Sequence, residues 1–268
     1  MGEMIAVQDL VKNYGEFCAV NHVTFHVPEG VIFGFLGPNG AGKTTTIKML
    51  TTVLDPTSGS IRVNGHDPTR DQKQVRQSFG IVFQDPSLDD ELTAYENMEL
   101  HGVLYGVPRA ERHKRIDLLV EFVGLAERKK DLVKTFSGGM KRRLEVARAL
   151  LHKPRILFLD EPTIGLDPQT RNHIWGYIQQ LSKEDGVTVF FTTHYMDEAD
   201  RVANDVAVID HGKIVAQGTP AELKERTKCA NLEDAFIALT GHAIREEEGS
   251  AIERMRMMGR AWRGSGRR

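Results

Sequence analysis

A glycine-rich stretch that ends in lysine and threonine is the first part of the sequence whose residue types could do chemistry. Its members are Gly37, Pro38, Asn39, Gly40, Ala41, Gly42, Lys43 and Thr44. Together they match the phosphate-binding P-loop pattern in full. Glycines allow successive backbone N–H groups to surround phosphate oxygens, and a helix that begins near Lys43 would add the positive end of its dipole. The stretch therefore predicts a nucleotide-binding loop.

The polar residues of this loop suggest how it would hold a nucleotide and a metal. Lys43 should reach the β- and γ-phosphates, the Thr44 hydroxyl should ligate Mg²⁺, and Thr45 could donate to the α-phosphate region. A chance match is disfavoured, because a buried-type strand precedes the loop and an amphipathic helix pattern follows it. A dinucleotide-binding loop would have the spacing G-x-G-x-x-G, whereas these glycines are spaced G-x-x-G-x-G.

Two carboxylates follow another apolar run. Residues 156–159 are all apolar, and Asp160 and Glu161 come directly after them. Ligands of parallel α/β sheets lie beyond the carboxyl ends of the strands, so the pair should face the same crevice as the P-loop. Successive strand residues point to opposite sides, which predicts separate tasks: Asp160 supports Mg²⁺, and Glu161 acts on the attacking water as general base. The alternative, an acidic helix cap or turn, is disfavoured by the upstream P-loop.

A histidine and a glutamine stand at the ends of two further strand-like runs. His194 follows the run 187–191 and two threonines, where it could bond a γ-phosphate or orient Glu161 or the attacking water. The sequence has ten histidines, and the others receive no role. Gln84 ends the run 79–83, and its amide oxygen could contact the metal or a water bound to it.

A second glycine motif precedes a helix pattern. Ser137 fits the N-cap position, and Gly138 and Gly139 leave backbone N–H groups open to an anion. An ordinary helix start explains the same residues. The residues alone leave open why a nucleotide-binding chain would carry two anion-binding helix starts.

The elements that must position these residues follow from the pattern of apolar positions. Strand-like runs lie at 5–11, 17–27, 31–36, 61–63, 156–159, 187–191 and 206–209. After the P-loop, Ile47, Leu50 and Leu54 recur at helical spacing. Residues from about 92 to 151 have helical patterning, which predicts a helical subdomain inserted into an α/β core. The alternation of later strands with helices predicts a mainly parallel sheet.

Composition excludes several classes of protein. The 268 residues carry a net charge of −2, whereas a protein that coats nucleic acid needs a basic excess. Cys18 and Cys229 are the only cysteines and lie far apart, which favours a reducing cytosolic compartment over a disulfide scaffold. No run approaches the roughly 20 apolar residues that span a bilayer, and we expect no signal sequence. Residues 241–268 carry glutamates followed by arginines, which predicts a charged, disordered tail.

Taken together, these motifs resemble those of the nucleotide-binding subunit of ABC transporters over about residues 3–240. The corresponding residues are 37–44 for Walker A, Gln84 for the Q-loop, 136–140 for the signature motif, 156–161 for Walker B, 165–167 for the D-loop and His194 for the switch histidine. Tyr14 falls where the family places an aromatic ring that stacks on adenine. These elements occur in the order that the family has.

The resemblance implies a P-loop NTPase core with a mainly parallel sheet, an N-terminal antiparallel β-subdomain and an inserted helical subdomain. It implies an ATP-dependent homodimer in which two cassettes pair head to tail, so that each ATP lies between one P-loop and the other copy's Ser137, Gly138 and Gly139. Asp167 would cross that interface, and Gln84 would sense the membrane partner near the γ-phosphate. The implied activity is Mg²⁺-dependent ATP hydrolysis by a cytoplasmic subunit, peripheral on the inner membrane face, that serves a separate transmembrane permease.

The sequence departs from the common family pattern at two places. The usual signature is Leu-Ser-Gly-Gly-Gln, whereas this chain has Phe136 and Met140 at its ends, and residues 163–167 read Thr-Ile-Gly-Leu-Asp in place of Ser-Ala-Leu-Asp. The stretches 136–143, 195–200, 218–224 and 231–241 resemble drug and polysaccharide exporters typified by daunorubicin-resistance ATPases. This branch implies export of a drug-like, lipid or polysaccharide substrate.

The alternative function is a soluble ABC-type ATPase that acts on DNA or ribosomes. The chromosome-maintenance type needs a long coiled coil between Walker A and Walker B, and no sustained heptads separate Lys43 from Asp160. The ribosome-acting type normally carries two cassettes, whereas this sequence contains the motifs of one. A nucleotide binder without turnover is disfavoured because Lys43 and Glu161 are both present. We therefore expect no nucleic-acid partner.

Overall fold

Parallel strands carry most of the chemical motifs, and a computed structural model, which describes residues 2–241, shows how they are arranged. In chain order the strands are β1 (Glu3–Tyr14), β2 (Phe17–Pro28), β3 (Ile32–Leu36), β4 (Ser58–Val63), β5 (Phe79–Val82), β6 (Ile156–Asp160), β7 (Thr188–Thr193), β8 (Asp205–Asp210) and β9 (Lys213–Gly218). The main sheet has the order β5–β6–β7–β3–β8–β9. Its first five strands are parallel, and β9 pairs antiparallel with β8. A second sheet, β2–β1–β4, is antiparallel.

Helices cover both sides of the main sheet and form a separate group. Within residues 2–241 the α-helices are α1 (Lys43–Leu50), α2 (Gln72–Ser78), α3 (Ala94–Leu104), α4 (Arg109–Phe122), α5 (Gly138–Ala149), α6 (Pro168–Asp185), α7 (Met196–Val202), α8 (Pro220–Thr227) and α9 (Leu232–Thr240). The helices α3, α4 and α5 lie between β5 and β6 in the chain and enclose their own apolar cluster, which includes Met98, Val120 and Leu144. The predicted α/β core with an antiparallel N-terminal sheet and inserted helices is confirmed.

Aromatic packing on the two faces of the main sheet explains why its central strands are buried. The strands β3, β6 and β7 are buried along their whole length, as expected for strands covered on both faces. On one face, Phe25 of β2 packs against Phe33 and Phe190, with ring centroids 5.8 and 5.9 Å away. On the other, Trp175 of α6 meets Phe191 edge to face at 4.8 Å. The antiparallel sheet and α6 therefore hold the main sheet between them.

The helix after the P-loop is shorter than its apolar spacing predicts. Leu54 continues the pattern of Ile47 and Leu50, but α1 ends at Leu50. The chain turns at Thr52, which has a φ of 64°, and the N–H of Val53 donates back to the carbonyl of Lys48 at 2.9 Å. This is the hydrogen bond of a Schellman cap, which satisfies a free carbonyl at the helix end.

Two further expectations concern the C-terminal tail and the absence of a membrane-spanning segment. Met1 and residues 242–268, which include nearly all of the predicted charged tail, lie outside the described residues. Across residues 2–241, no helix has both the length and the apolar character that crossing a bilayer requires.

Candidate active site

The P-loop connects the central strand β3 to the start of α1. Residues 37–42 form the loop, and α1 begins at Lys43. A Cβ at Gly37 would lie 2.3 Å from the carbonyl oxygen of Ile209, and one at Gly42 would lie 2.6 Å from that of Ala19. Only glycine fits at these two places, because the loop backbone runs directly against neighbouring strands. The chain thus presents a curled backbone and a helix N-terminus at the carboxyl edge of the sheet.

A cleft of about 420 Å³ lies over this loop. Its lining residues are Tyr14, Phe17, Ala19, Pro38, Asn39, Gly40, Gly42, Lys43, Thr44, Thr45, Gln84, Glu161 and Ile164. Tyr14 and Phe17, at the turn between β1 and β2, are 48% and 64% exposed, so they form an apolar rim. An exposed aromatic rim beside a phosphate-binding loop is suited to a base on one side and phosphates on the other.

Lys43 points into the site and already has partners there. Its side chain is almost fully buried, and its Nζ donates to the carbonyl oxygens of Gly37 and Pro38 at 2.7 and 3.3 Å. The same Nζ lies 3.1 Å from Oε1 of Glu161. The lysine therefore joins the P-loop to the end of β6.

Asp160 lies beside the Thr44 hydroxyl. It is 1% exposed, and its Oδ1 accepts hydrogen bonds from Thr192 Oγ1 at 2.6 Å and Thr44 Oγ1 at 3.3 Å. Burial raises the pKa of Asp160, against the lowering effect of these two hydroxyls. A buried carboxylate next to a hydroxyl offers the all-oxygen ligand set that Mg²⁺ prefers.

Glu161 contacts both Lys43 and the predicted histidine. His194 Nδ1 lies 2.9 Å from Glu161 Oε2. Burial on its own would raise the pKa of Glu161, but the hydrogen bond with His194 and the charge of Lys43 outweigh it, so the pKa lies below its ordinary value. Glu161 is therefore an ionised acceptor in this conformation.

The backbone at Glu161 differs from the regular strand that sequence alternation assumed. β6 ends at Asp160, and Glu161 has a φ of 49°. As a result both carboxylates meet P-loop residues: Asp160 contacts Thr44, and Glu161 contacts Lys43. The left-handed conformation is uncommon for a glutamate, and the N–H of Glu161 is held by the carbonyl and the hydroxyl of Thr192, at 3.2 and 3.1 Å.

The remaining candidate residues divide between the cleft and a separate edge. Gln84 lines the cleft, but within the described residues no hydrogen bond joins its side chain to Thr44 or Asp160. Ser137, Gly138 and Gly139 start α5 away from the cleft lining, with the Ser137 hydroxyl accepting from the Met140 N–H at 3.3 Å.

Asp167 is on that same separate edge. Its carboxylate caps α6 by accepting from the N–H and hydroxyl of Thr170 at 3.0 and 2.6 Å. A Cβ at Gly139 would lie 2.8 Å from Cγ2 of Thr170, so the starts of α5 and α6 adjoin. The second glycine motif and Asp167 thus form one edge, distinct from the cleft.

Thr192 is a site residue that sequence reasoning missed. It is fully buried, and it contacts both carboxylate residues, through its hydroxyl to Asp160 and through its carbonyl and hydroxyl oxygens to the Glu161 N–H. The polar pair Thr192 and Thr193 directly after the apolar residues 189–191 was the available signal.

The arrangement defines the class of protein. A P-loop between β3 and α1, with two acids at the end of β6 and a histidine after β7, is the architecture of a P-loop nucleoside triphosphatase. Comparisons with known proteins give the family.

A model of the ABC transporter family matches residues 20–164. The chain is 43% identical over 244 residues to the linearmycin resistance ATP-binding protein of Bacillus subtilis (strain 168), which covers 91% of this chain and 76% of that protein. It is 46% identical over 220 residues to a daunorubicin/doxorubicin resistance ATP-binding protein of Streptomyces peucetius, which covers 82% of this chain and 66% of that protein.

Solved structures agree with this assignment. An ATP-binding subunit of an ABC transporter superposes with a TM-score of 0.81 at 29% identity, over 88% of this chain and 99% of that one. A dimeric ATP-binding cassette in a post-hydrolysis state, bound to ADP and Pi, gives a TM-score of 0.73 at 28% identity, over 81% of this chain and 98% of that one. The chain therefore belongs to the ABC transporter family. It is an ATP-binding subunit that hydrolyses ATP.

The contacts of Thr192 predict a specific effect of removing its hydroxyl. Thr192→Val should lower the free energy of unfolding by about 1–3 kcal/mol, because two buried polar groups lose a partner, and should also lower the ATPase rate. Thr188→Val is the matched control, since Thr188 is a buried threonine of the same strand whose hydroxyl accepts from the Gly30 N–H at 2.8 Å. Denaturant unfolding and steady-state ATPase assays should show a stability loss in both variants and a rate loss in Thr192→Val alone. An equal rate loss in both would contradict the assignment.

Proposed function

We propose that this chain powers export of a drug-like, lipid or polysaccharide substrate through a separate transmembrane permease. The observation that supports a motor most directly is the convergence of Lys43, Thr44, Asp160, Glu161 and His194 at one edge of the sheet. The identity to proteins named for linearmycin and daunorubicin/doxorubicin resistance supports the drug-like class. An ATPase that acts on DNA or ribosomes is not favoured by these relatives.

ATP would lie in the cleft with its base against Tyr14 and its phosphates in the P-loop. The cleft lining runs from Tyr14 at the rim to Lys43, Thr44 and Thr45 at the helix start. The β- and γ-phosphates would compete with Glu161 for Lys43, because the three donors of its ammonium already contact Gly37, Pro38 and Glu161. Binding therefore draws Lys43 away from Glu161, and the loss of that positive charge raises the pKa of Glu161. The nucleotide thus makes the carboxylate a better base.

The residues present also fit a magnesium ion. Thr44 and Asp160 offer a hydroxyl and a buried carboxylate within 3.3 Å of each other, and Gln84 adds an amide oxygen on the cleft lining. We assign Thr44, Gln84 and Asp160 as the groups that hold the ion, directly or through water. When bound, Mg²⁺ neutralises charge that develops on the phosphates.

Hydrolysis then needs a positioned water and a base. Glu161 accepts the proton of the attacking water as the water oxygen bonds to the γ-phosphorus, and the bond from that phosphorus to the leaving oxygen of ADP breaks. His194 orients Glu161 through the 2.9 Å contact between Nδ1 and Oε2. The backbone N–H groups of residues 37–42 and Lys43 hold the phosphates in line.

We infer that the complete site requires a second copy of the chain. The Ser137 start of α5 and Asp167 at the start of α6 lie outside the cleft, and α5 begins with two glycines whose backbone could approach an anion closely. A head-to-tail homodimer would bring Ser137, Gly138 and Gly139 of one copy to the γ-phosphate held by the other, with Asp167 at the interface. A dimeric cassette among the similar solved structures supports the formation of a dimer.

We place residues 3–240 in one ABC-type nucleotide-binding domain, with the helical subdomain at about 92–151. The location that fits this function is the cytoplasmic face of the cell membrane, where the chain would bind its permease peripherally.

The role of Glu161 predicts that Glu161→Gln binds ATP yet turns over poorly. Loss of the base should lower kcat by about 10²- to 10⁴-fold, and an ATP-bound dimer should accumulate, as size-exclusion chromatography with ATP would show. Glu198→Gln is the matched control, because Glu198 is equally buried but bonds Thr163 Oγ1 at 2.7 Å. Undiminished hydrolysis by Glu161→Gln would remove Glu161 from this role.

The composite site predicts that two inactive variants restore each other. Lys43→Ala disables one P-loop, and Ser137→Arg blocks one signature start at an exposed position. A mixed dimer has one intact site, formed by the P-loop of the Ser137→Arg copy and the signature of the Lys43→Ala copy. Since about half of the dimers in an equal mixture are mixed, we expect about a quarter of wild-type ATPase activity. Activity that stays at the level of the separate variants would exclude a shared site.

The export proposal predicts a dependence on a membrane partner. The full chain should be found with membranes when it is co-expressed with its permease and not when it is expressed alone. Cells with both proteins should accumulate less doxorubicin than cells in which the chain carries Glu161→Gln, as fluorescence would measure. Robust binding of the purified chain to protein-free vesicles would instead indicate that the arginine-rich tail anchors it. Equal doxorubicin accumulation in the two strains would contradict export of this class.

A further inference from the structure

One face of α5 holds the backbone of the chain segment that contains Gln84. Arg142 is 5% exposed, and its Nη1 and Nη2 donate to the carbonyl oxygens of Phe83 and Gln84 at 2.6 and 3.0 Å. These carbonyls follow directly after β5, which ends at Val82. A single guanidinium thus takes over two consecutive backbone acceptors where the strand pairing stops.

Two more side chains of the same helix extend this contact. Glu145 is almost fully buried, and its Oε1 accepts from the Ser87 N–H at 2.7 Å, while its Oε2 lies 3.3 Å from Arg142 Nη1. Arg148 donates from Nη1 to the Ser87 carbonyl at 2.8 Å. Residues 142, 145 and 148 lie three positions apart, so they share a helix face. That face binds the segment 83–87 at both ends.

The chemistry of Arg142 suits a rigid connection. The planar guanidinium fixes two acceptors relative to each other, which a lysine ammonium on a flexible stem cannot do. Burial lowers the pKa of Arg142, whereas Glu145, Asp160 and Asp85 raise it, and Glu145 is the acid within bonding distance. A buried charge with a partner and two satisfied carbonyls resists displacement more than an exposed pair does.

The connection joins two parts that the proposed function assigns to different nucleotides. Gln84 lines the cleft of its own chain. The same α5 that carries Arg142 begins at Ser137, which in the proposed dimer meets the nucleotide of the other copy. Movement of α5 would therefore displace the backbone of Gln84, because Arg142 bonds its carbonyl.

We propose that Arg142 is a positioning residue for ATP hydrolysis: by tying the Gln84 backbone to α5, it makes the placement of Gln84 depend on engagement of the signature edge. This inference rests on the proposed role of Gln84. Arg142 touches no nucleotide in this scheme and acts entirely through Gln84. Glu145 holds the guanidinium in place.

The first test compares lysine substitutions at two adjacent arginines of α5. Arg142→Lys keeps the charge beside Glu145 but loses the two-carbonyl grip, so kcat should fall by about tenfold to hundredfold while the Kd for ATP stays within about twofold. Arg143→Lys is the matched control, because Arg143 Nη1 also donates to a carbonyl, that of Val123 at 3.0 Å, within the helical group. It should keep wild-type kcat. Unchanged kcat in Arg142→Lys, or an equal loss in Arg143→Lys, would overturn the inference.

The second test is a double-mutant cycle with Gln84. Its result distinguishes a positioning role of Arg142 from a purely structural one. If Arg142 acts through Gln84, then Arg142→Lys combined with Gln84→Ala should have the kcat of Gln84→Ala alone. If the double variant instead lost kcat by the product of the two single fold-decreases, Arg142 would act elsewhere and the inference would be overturned. Wild-type kcat in Gln84→Ala would instead refute the assigned role of Gln84, which separates the two failures.

A third measurement keeps the test valid if Arg142→Lys folds poorly. Glu145→Gln leaves Arg142 in place but removes its buried countercharge, so kcat should fall in the same direction by a smaller factor. The Mg²⁺ concentration for half-maximal rate should rise in both variants, since Gln84 is assigned to the metal, and should not rise in Arg143→Lys. Circular dichroism and denaturant unfolding at the assay temperature establish that each variant is folded. A well-folded Glu145→Gln with wild-type kcat and Mg²⁺ dependence would overturn the inference.

Discussion

The buried ion pair between Lys43 and Glu161 is the interaction on which the rest of the site depends. Both side chains are almost fully buried, with Nζ 3.1 Å from Oε1. Either charge alone would be strongly unfavourable in this position. Each therefore has further partners: two P-loop carbonyls for Lys43, and His194 for Glu161. Because Lys43 starts α1 and Glu161 follows β6, the pair requires that these two elements keep a fixed separation.

The sheet order provides that separation. Strand β7 lies between β6 and β3, and it supplies Thr192 and leads into His194, which contact Asp160 and Glu161. Three neighbouring strands thus bring Lys43, Asp160, Glu161 and His194 to one edge of the sheet. The register is held from both faces, by Phe25 against Phe33 and Phe190 and by Trp175 against Phe191. Apolar packing far from the nucleotide therefore sets distances between polar atoms at the site.

This division explains what the sequence could predict. Short apolar runs made several features predictable from the sequence, because such a run indicates a buried strand. One of these runs precedes the P-loop, another the two carboxylates, and a third the two threonines before His194. Local patterns also predicted the inserted helices. The antiparallel N-terminal sheet, in contrast, was expected only from the family resemblance. The left-handed backbone of Glu161 was not predictable, because the oxygens that hold its N–H belong to Thr192, a residue far along the chain. The grip of Arg142 on Phe83 and Gln84 was missed for the same reason. The early end of α1 was missed because apolar spacing carries no information about a cap at Thr52.

In the proposed dimer, nucleotide binding and turnover would be separate events, because one chain binds the nucleotide and a second copy completes the site. Phosphates that take Lys43 from Glu161 would free the base within a single chain, yet the signature donors of Ser137 lie on another edge of that chain. A nucleotide would then be held by the P-loop of one copy, and the other copy would complete the site around it. The contacts of α5 with residues 83–87 would carry the state of that edge back to the cleft of the same chain, since Arg142 bonds the Gln84 backbone. Each site would then respond both to its own nucleotide and to contact with the other copy. Such a dependence is needed if hydrolysis must follow closure of the dimer.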